Sequence, residues 1–212
     1  LSSTRELGDL DAARAAALDD LTAVLGDAVV ETFSRPGTDP WVRFATDAWG
    51  EVGLALTRRL GFTYFSFLSA IDWMPSPYGK GEDDPTEPPP ERDATIRQGY
   101  AGGSTRFQVL ARVHHLEHHV GVICKVDVPD DSLTVASWVP AYAGANWHER
   151  ETWEMFGIAF AGHPGLRKLY LPGDFEGFPL RKDFPLLARM VKPWPGIVDV
   201  EPMPEGLGGD DE

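Results

Sequence analysis

The sequence predicts an α+β fold: a compact mixed helix/sheet domain followed by an extended, Pro-rich C-terminal arm. Three observations support this. Apolar residues recur at helical spacing in three segments. Alternating or aromatic β-forming runs lie between those segments. After Gly157, Pro164, Pro172, Pro179, Pro185, Pro193 and Pro195 recur too often for any regular element. The expected boundary therefore falls at residue 157, with residues 1–157 as the domain and 158–212 as the arm and tail.

The first helix opens on Ser3-Thr4-Arg5-Glu6, which has capping-box character. It continues through Leu10, Ala13, Ala17, Leu18, Leu21 and Leu25 to Gly26. Ala28 to Phe33 and Trp41 to Phe44 read as short strands joined by a turn at Arg35-Pro36-Gly37-Thr38. Asp47 is expected to cap a second helix ending at Leu60, with Gly61 as its stop. Phe62 to Leu68 is aromatic and strand-like. From Pro75 to Pro90 there are six prolines among acids and glycines, the signature of an irregular loop. Phe107, Val109, Ala111 and Val113 alternate, as do Val120, Val122, Cys124 and Val126, which predicts a hairpin. Ala143 to Phe156 forms a third helix, stopped by Gly157. No internal repeat is present.

Composition narrows the function. At 212 residues the chain can bury a core without staples. Its net charge of −14 opposes nucleic-acid binding, which relies on neutralising phosphates. The acid concentrates in the proline-rich loop and the C-terminal tail, while 143–192 is close to neutral. A single cysteine, Cys124, rules out an internal disulfide framework and an iron–sulfur cluster held by this chain alone. No apolar run reaches the ~20 residues of a membrane-spanning helix, and the start does not read as a secretory signal, so the chain is expected to be soluble by itself.

Catalytic motifs are sparse. His114-His115-Leu116-Glu117-His118-His119 suggests metal binding, but it falls at the hairpin turn, where i,i+4 spacing no longer forces convergence; an exposed polar turn is the expected reading. Glu149, Glu151 and Glu154 could supply paired carboxylates, yet Arg150 stands four residues before Glu154, and a solvated ion-pair face is expected. Gly102-Gly103-Ser104 and Gly206-Leu207-Gly208-Gly209 fit no phosphate-binding loop, and no nucleophile elbow is present. The pairs Arg167-Lys168 and Arg181-Lys182-Asp183 alternate with Leu169-Tyr170-Leu171 and Phe184-Pro185-Leu186. Such a ribbon cannot bury its own apolar groups, so it must lie on its own domain or on a partner. Its length favours the partner.

These residues resemble the C-type subunit of the proton-pumping NADH-quinone oxidoreductase, respiratory complex I. The resemblance rests on Trp147-His148-Glu149-Arg150-Glu151, Met155-Phe156-Gly157, Gly162-His163-Pro164-Gly165-Leu166-Arg167 and Pro179 to Leu186. It covers about 40 residues in matching order and spacing. The aromatic strand after Gly61 and Trp138-Val139-Pro140 agree more weakly, and Gly177-Phe178-Pro179 departs from the family's Gly-His-Pro.

The resemblance implies a non-catalytic structural subunit of the peripheral arm, packed on the D-type, quinone-site subunit and supporting electron transfer from NADH to quinone. It implies no cofactor in this chain, FMN and iron–sulfur clusters residing in partner subunits. It also implies peripheral attachment to the cytoplasmic side of the cell membrane, through the complex only. The family-motif and interface candidates are Glu149, Arg150, Glu151, Gly157, His163, Pro164, Arg167, Arg181, Lys182, Asp183 and Pro185. The composition suggests a GC-rich bacterium, for which the quinone would be menaquinone. The alternatives are the equivalent subunit of a membrane-bound hydrogenase or formate-hydrogenlyase complex, and a stand-alone metal-dependent enzyme using the histidine cluster.

Overall fold

The computed structural model describes residues 2–77 and 93–184. Most of the proline-rich loop, Pro185, Leu186, Pro193, Pro195 and the acidic tail lie outside these residues, as do the side chains of the expected capping box.

Helix α1 (Ser2–Leu25) leads through a 3-10 turn into strand β1 (Val29–Phe33). Strand β2 (Trp41–Phe44), helix α2 (Trp49–Arg58) and strand β3 (Tyr64–Asp72) follow. The hairpin strands β4 (Phe107–His115) and β5 (Val120–Val128) complete the main sheet. Then come β6 (Thr134–Ala136), α3 (Ala145–Phe156) and β7 (Ala159–Ala161). The five-stranded sheet has the order β1-β2-β5-β4-β3, antiparallel except where β2 runs parallel to β5. This is the α+β architecture that the sequence predicts.

The predicted stripe of α1 is its covered side, with Leu21 fully buried and Ala17, Leu18 and Leu25 packed against the core. Helix α2 is shorter than expected. Ala48 occupies its N-cap without a side-chain hydrogen bond, so Asp47 is not the cap. Val42, Phe44, Leu68, Val109, Ala111, Val113, Val122, Cys124 and Val126 turn one sheet face toward the helices, where Trp49, Val52, Leu56 and Trp138 meet them. Each large side chain so buried stabilises the fold by about 1.5–3 kcal/mol. Trp49 and Trp138 stack at 4.2 Å, and the Trp138 indole donates to the Trp49 carbonyl at 2.8 Å. Burial pushes the Cys124 thiol well above its ordinary pKa, so it is an inert core residue.

Two features depart from the expected layout. The second sheet face is covered at its centre, where Gln108, Lys125 and Asp127 are buried. The chain before β4 lies over them, and its carbonyls are held from below. Lys125 Nζ donates to Tyr100 O at 2.7 Å, Arg43 Nε to Ala101 O at 2.8 Å, and Gln108 Nε2 to Gly102 O at 3.1 Å.

The domain also does not end at Gly157. Strand β7 pairs in parallel with β6, and Ile158 and Phe160 are buried in the core. The apolar side chains immediately after the helix stop enter the core, so residues 158–161 belong to the domain and not to the arm.

Candidate functional site

Helix α3 packs along β3 and carries Glu149, Arg150, Glu151 and Glu154 of the charged residues that the sequence singles out. Gly157 ends it in a left-handed conformation, φ 73°, and a Cβ there would strike the Arg181 guanidinium and the Phe178 ring. The arm then returns along the helix. His163 Nδ1 accepts from the Gly165 amide at 2.9 Å, which leaves Nε2 to donate to Asn146 O at 3.1 Å, near the start of α3. Arg150 donates to the carbonyls of Arg167 at 3.0 Å and Lys168 at 3.1 Å. One turn further on, Glu154 accepts from the amides of Leu169 at 2.8 Å, Tyr170 at 3.0 Å and Leu171 at 2.7 Å. Lys168 gathers the next turn, its Nζ donating to the carbonyls of Pro172, Gly173 and Phe175.

Past the helix end, Leu180 N donates to Met155 O at 3.2 Å and Arg181 Nε to Phe156 O at 2.6 Å. The Arg181 guanidinium sits 4.3 Å from the Phe178 ring centroid and 5.2 Å from that of Phe107. The Lys182 amide donates to the buried Asp72 carboxylate at 2.8 Å, while its side chain stays exposed. Arg106 ties the same place together, reaching Asp72 at 2.7 Å and Asp183 at 3.0 Å. The hydrogen bond from Arg106 holds the Asp183 carboxyl below its ordinary pKa.

This corrects two expectations. Glu149, Arg150 and Glu154 are buried and do not form a solvated ion-pair face; Glu151 is half-buried. Arg150 and Glu154 serve the arm's backbone, whose polar groups would otherwise be unpaired against the helix. The arm through residue 184 also lies on its own domain instead of leaving it. Arg181 therefore anchors the arm to this chain, while the Arg167 side chain and Pro164 remain exposed. Pro185 lies outside the described residues.

Glu149 faces the other way. Its carboxylate accepts from the Ser137 hydroxyl and the Trp138 amide, both at 2.6 Å, pinning α3 to the segment after β6. Burial raises its pKa to about 7, although those two hydrogen bonds pull it down. Burial also raises that of Glu154, but the three amides and Lys168 outweigh it, and the net shift is downward.

The histidines fall where the hairpin places them: His114 and His115 end β4, and His118 and His119 occupy the turn. His118 N donates to His115 Nδ1 at 3.3 Å. Among the described residues no group of three or more His, Cys, Asp or Glu is arranged to hold a metal. Sequence reading singled out Lys168 without giving it a role, and missed Asp72 and Arg106. Only the arm's path brings the last two to Asp183.

The family model described as "Respiratory-chain NADH dehydrogenase, 30 Kd subunit" matches residues 42–190, well over half of the chain. The NADH-quinone oxidoreductase C/D subunit of Pseudomonas fluorescens is 36% identical over 168 residues, covering 79% of this chain and 27% of that protein. The protein of the same name from Photorhabdus laumondii is 41% identical over 104 residues, covering 49% of this chain and 17% of its own length. The chain thus spans about a sixth to a quarter of the curated relatives it matches. A solved structure, the trypsin-resistant fragment (1-134) of Nqo5 in a P63 form, aligns with 70% of this chain and 96% of that fragment, at a TM-score of 0.49 and 21% identity.

Proposed function

The chain belongs to the 30 Kd subunit family of respiratory-chain NADH dehydrogenase, and from that premise we propose that it is a non-catalytic structural subunit of an NADH-quinone oxidoreductase. In this reading it packs on the D-type, quinone-site subunit and supports electron transfer from NADH to quinone, menaquinone in this case. FMN and iron–sulfur clusters belong to neighbouring subunits. The chain sits peripherally on the cytoplasmic side of the membrane, and no helix among its described residues is long and apolar enough to cross one.

The observation that carries this reading is what the clasped arm presents outward. Glu154 and Arg150 hold the arm's backbone inward and Arg181 of the arm reaches back to the Phe156 carbonyl, while Tyr170, Phe178 and Leu180 stand 64%, 36% and 50% exposed. On α3 itself, Trp147 is 68% exposed. Large apolar side chains fixed on the outside of an ordered segment fit a protein interface. The D-type subunit is the favoured occupant because the relatives' names join C and D in one polypeptide.

The test is affinity purification of the tagged full chain from gently solubilised membranes, with identification of its stoichiometric partners. Recovery of a D-type, quinone-site protein with flavin-bearing and cluster-bearing subunits supports the reading. Recovery with a hydrogenase large subunit would transfer the chain to the hydrogenase alternative, and elution alone would refute both.

A further inference from the structure

Trp147 and Tyr170 are the two most exposed of the large apolar side chains among the described residues, and the arm brings them to one place. Trp147 stands three residues before Arg150 and seven before Glu154, so it shares their side of α3, next to the arm. Arg150 holds the carbonyl of residue 167, and about one helical turn further on Glu154 holds the amide of residue 170. His163 fixes the approach, its Nε2 donating to the carbonyl of Asn146, the neighbour of Trp147. Arg167 is thereby set beside the N-terminal half of α3, three residues ahead of Tyr170.

The other cations of the clasp are used within this chain. Arg150, Lys168 and Arg181 all commit their side chains to its carbonyls. Arg167 does not. Its side chain is exposed, and among the described residues no ion pair or hydrogen bond engages the guanidinium. The carboxylates of α3 leave it unanswered. Glu154 accepts the three arm amides, and Glu149 is buried against Ser137 and Trp138. Glu151 on the helix and Asp174 and Glu176 on the arm make no ion pair with it.

An exposed guanidinium by itself contributes little, since water solvates it and salt screens its pairs. Two features set this one apart. Its backbone is already fixed by Arg150, so pairing orders less of the chain than it would on a loose segment. It also shares a patch with Trp147 and Tyr170, and Trp, Tyr and Arg are the residue types that dominate binding energy at protein interfaces. Rings covered by a partner would exclude water from a pair formed beside them, which strengthens it.

We propose that Trp147, Arg167 and Tyr170 are the centre of the contact with the D-type subunit, and that this partner answers Arg167 with an Asp or Glu carboxylate set among apolar groups that seat the two rings. Charge selects this occupant. A cation left unanswered by the described residues of its own chain calls for an anion, and the planar fork of arginine fits a carboxylate through two parallel hydrogen bonds. The proposal rests on the subunit reading above and gives that contact its chemistry.

Two measurements test this. In the first, tagged Arg167→Ala, Arg167→Glu and Lys182→Ala chains replace the native chain in cells, and the D-type subunit recovered with each is quantified. Recovery should fall at least about tenfold for Arg167→Ala and further for Arg167→Glu. It should stay at the parent level for Lys182→Ala, which removes an exposed cation from the same arm. All three isolated chains should melt like the parent. Equal recovery across the set, or an equal fall for Lys182→Ala, overturns the proposal. So does a lowered melting temperature for the Arg167 variants, which would make the guanidinium a support of this chain's own fold. In the second, Arg167→Lys keeps the charge and supplies an amine, and a zero-length carbodiimide is applied to the purified complex. An amide link from residue 167 to an Asp or Glu of the D-type subunit is expected. A link to this chain or to another subunit, or no link, overturns the proposal. If the tagged parent chain recovers no D-type subunit, the subunit reading fails. If the parent recovers it and the Arg167 variants do so equally, this pairing alone fails.

Discussion

Arg150 and Glu154, one helical turn apart on α3, divide one stretch of backbone between them. Arg150 takes the carbonyls of residues 167 and 168, and Glu154 takes the amides of residues 169, 170 and 171. An i,i+4 pair that could have neutralised itself instead fixes a segment lacking secondary structure. The result is an ordered arm whose apolar residues can face outward.

Glu154→Ala should therefore loosen the arm more than the domain. Removing the acceptor leaves up to three amides unpaired, at a cost of about 1–3 kcal/mol. Hydrogen exchange should accelerate at residues 169–171 while the amides of β4 and β5 keep their protection. Because the Glu154 pKa is lowered on folding, its contribution is present above the unfolded carboxyl pKa of about 4.3 and fades as pH falls through the folded value.

Glu149 should act in the opposite sense. Its folded pKa of about 7 lies above the unfolded value, so between roughly pH 4.3 and 7 the folded state retains a proton that the unfolded state has released. Its contribution to stability is then greatest at low pH, falls as pH rises through that window and levels off above 7. The drop is at most about 4 kcal/mol. Glu149→Gln, neutral at every pH, should flatten this part of the stability profile measured by urea unfolding between pH 5 and 8.

Arg181 and Lys182 should separate cleanly. Arg181→Ala removes a hydrogen bond to Phe156 O and two ring contacts, costing about 1–3 kcal/mol and raising exchange at residues 178–184. Lys182→Ala removes only an exposed side chain, because it is the backbone amide that meets Asp72, and should stay within about 0.5 kcal/mol of the parent. Thermal melts of the two variants compare these directly.

Truncation locates the true end of the domain. A chain stopping at Gly157 lacks Ile158 and Phe160 and the partner strand of β6, and the two side chains alone account for about 3–6 kcal/mol. A chain stopping at Gly162 retains them. The longer form should melt cooperatively, and the shorter should be far less stable or unfolded.

Much of the fold was legible because its cues are local. The α1 stripe, the β4–β5 alternation and the Gly157 stop each declare themselves within one element. Strands β6 and β7 did not, since three residues are too few for alternation and their parallel pairing spans α3. The covered centre of the second face was hidden for a related reason. Gln108, Lys125 and Asp127 are polar positions between the apolar residues of their strands, and it is the distant chain bearing Tyr100 to Gly102 that covers them. At the candidate site, the family resemblance marked Glu149, Arg150 and Arg181 as notable without supplying roles. Their partners are mostly backbone atoms, which leave no trace in residue identity, and Asp72 and Arg106 stand far from Asp183 in the chain. The expectation that the arm leaves the domain failed for residues 158–184 because it weighed the arm's length and apolar residues but not the polar groups of α3 waiting to bind it.

The central claim, that this is a docked and non-catalytic subunit joined through the outer face of its clasped arm, is tested most directly by electron transfer in membranes. The double variant Tyr170→Glu with Leu180→Glu changes two exposed side chains, so the isolated chain should melt like the parent. Placed in cells lacking the native chain, it should fail to assemble, and membrane NADH-to-quinone electron transfer should be lost. NADH oxidation by a soluble acceptor, hexacyanoferrate(III), should persist in the subunits that hold the flavin. Full NADH-to-quinone activity with the double variant incorporated would contradict the claim.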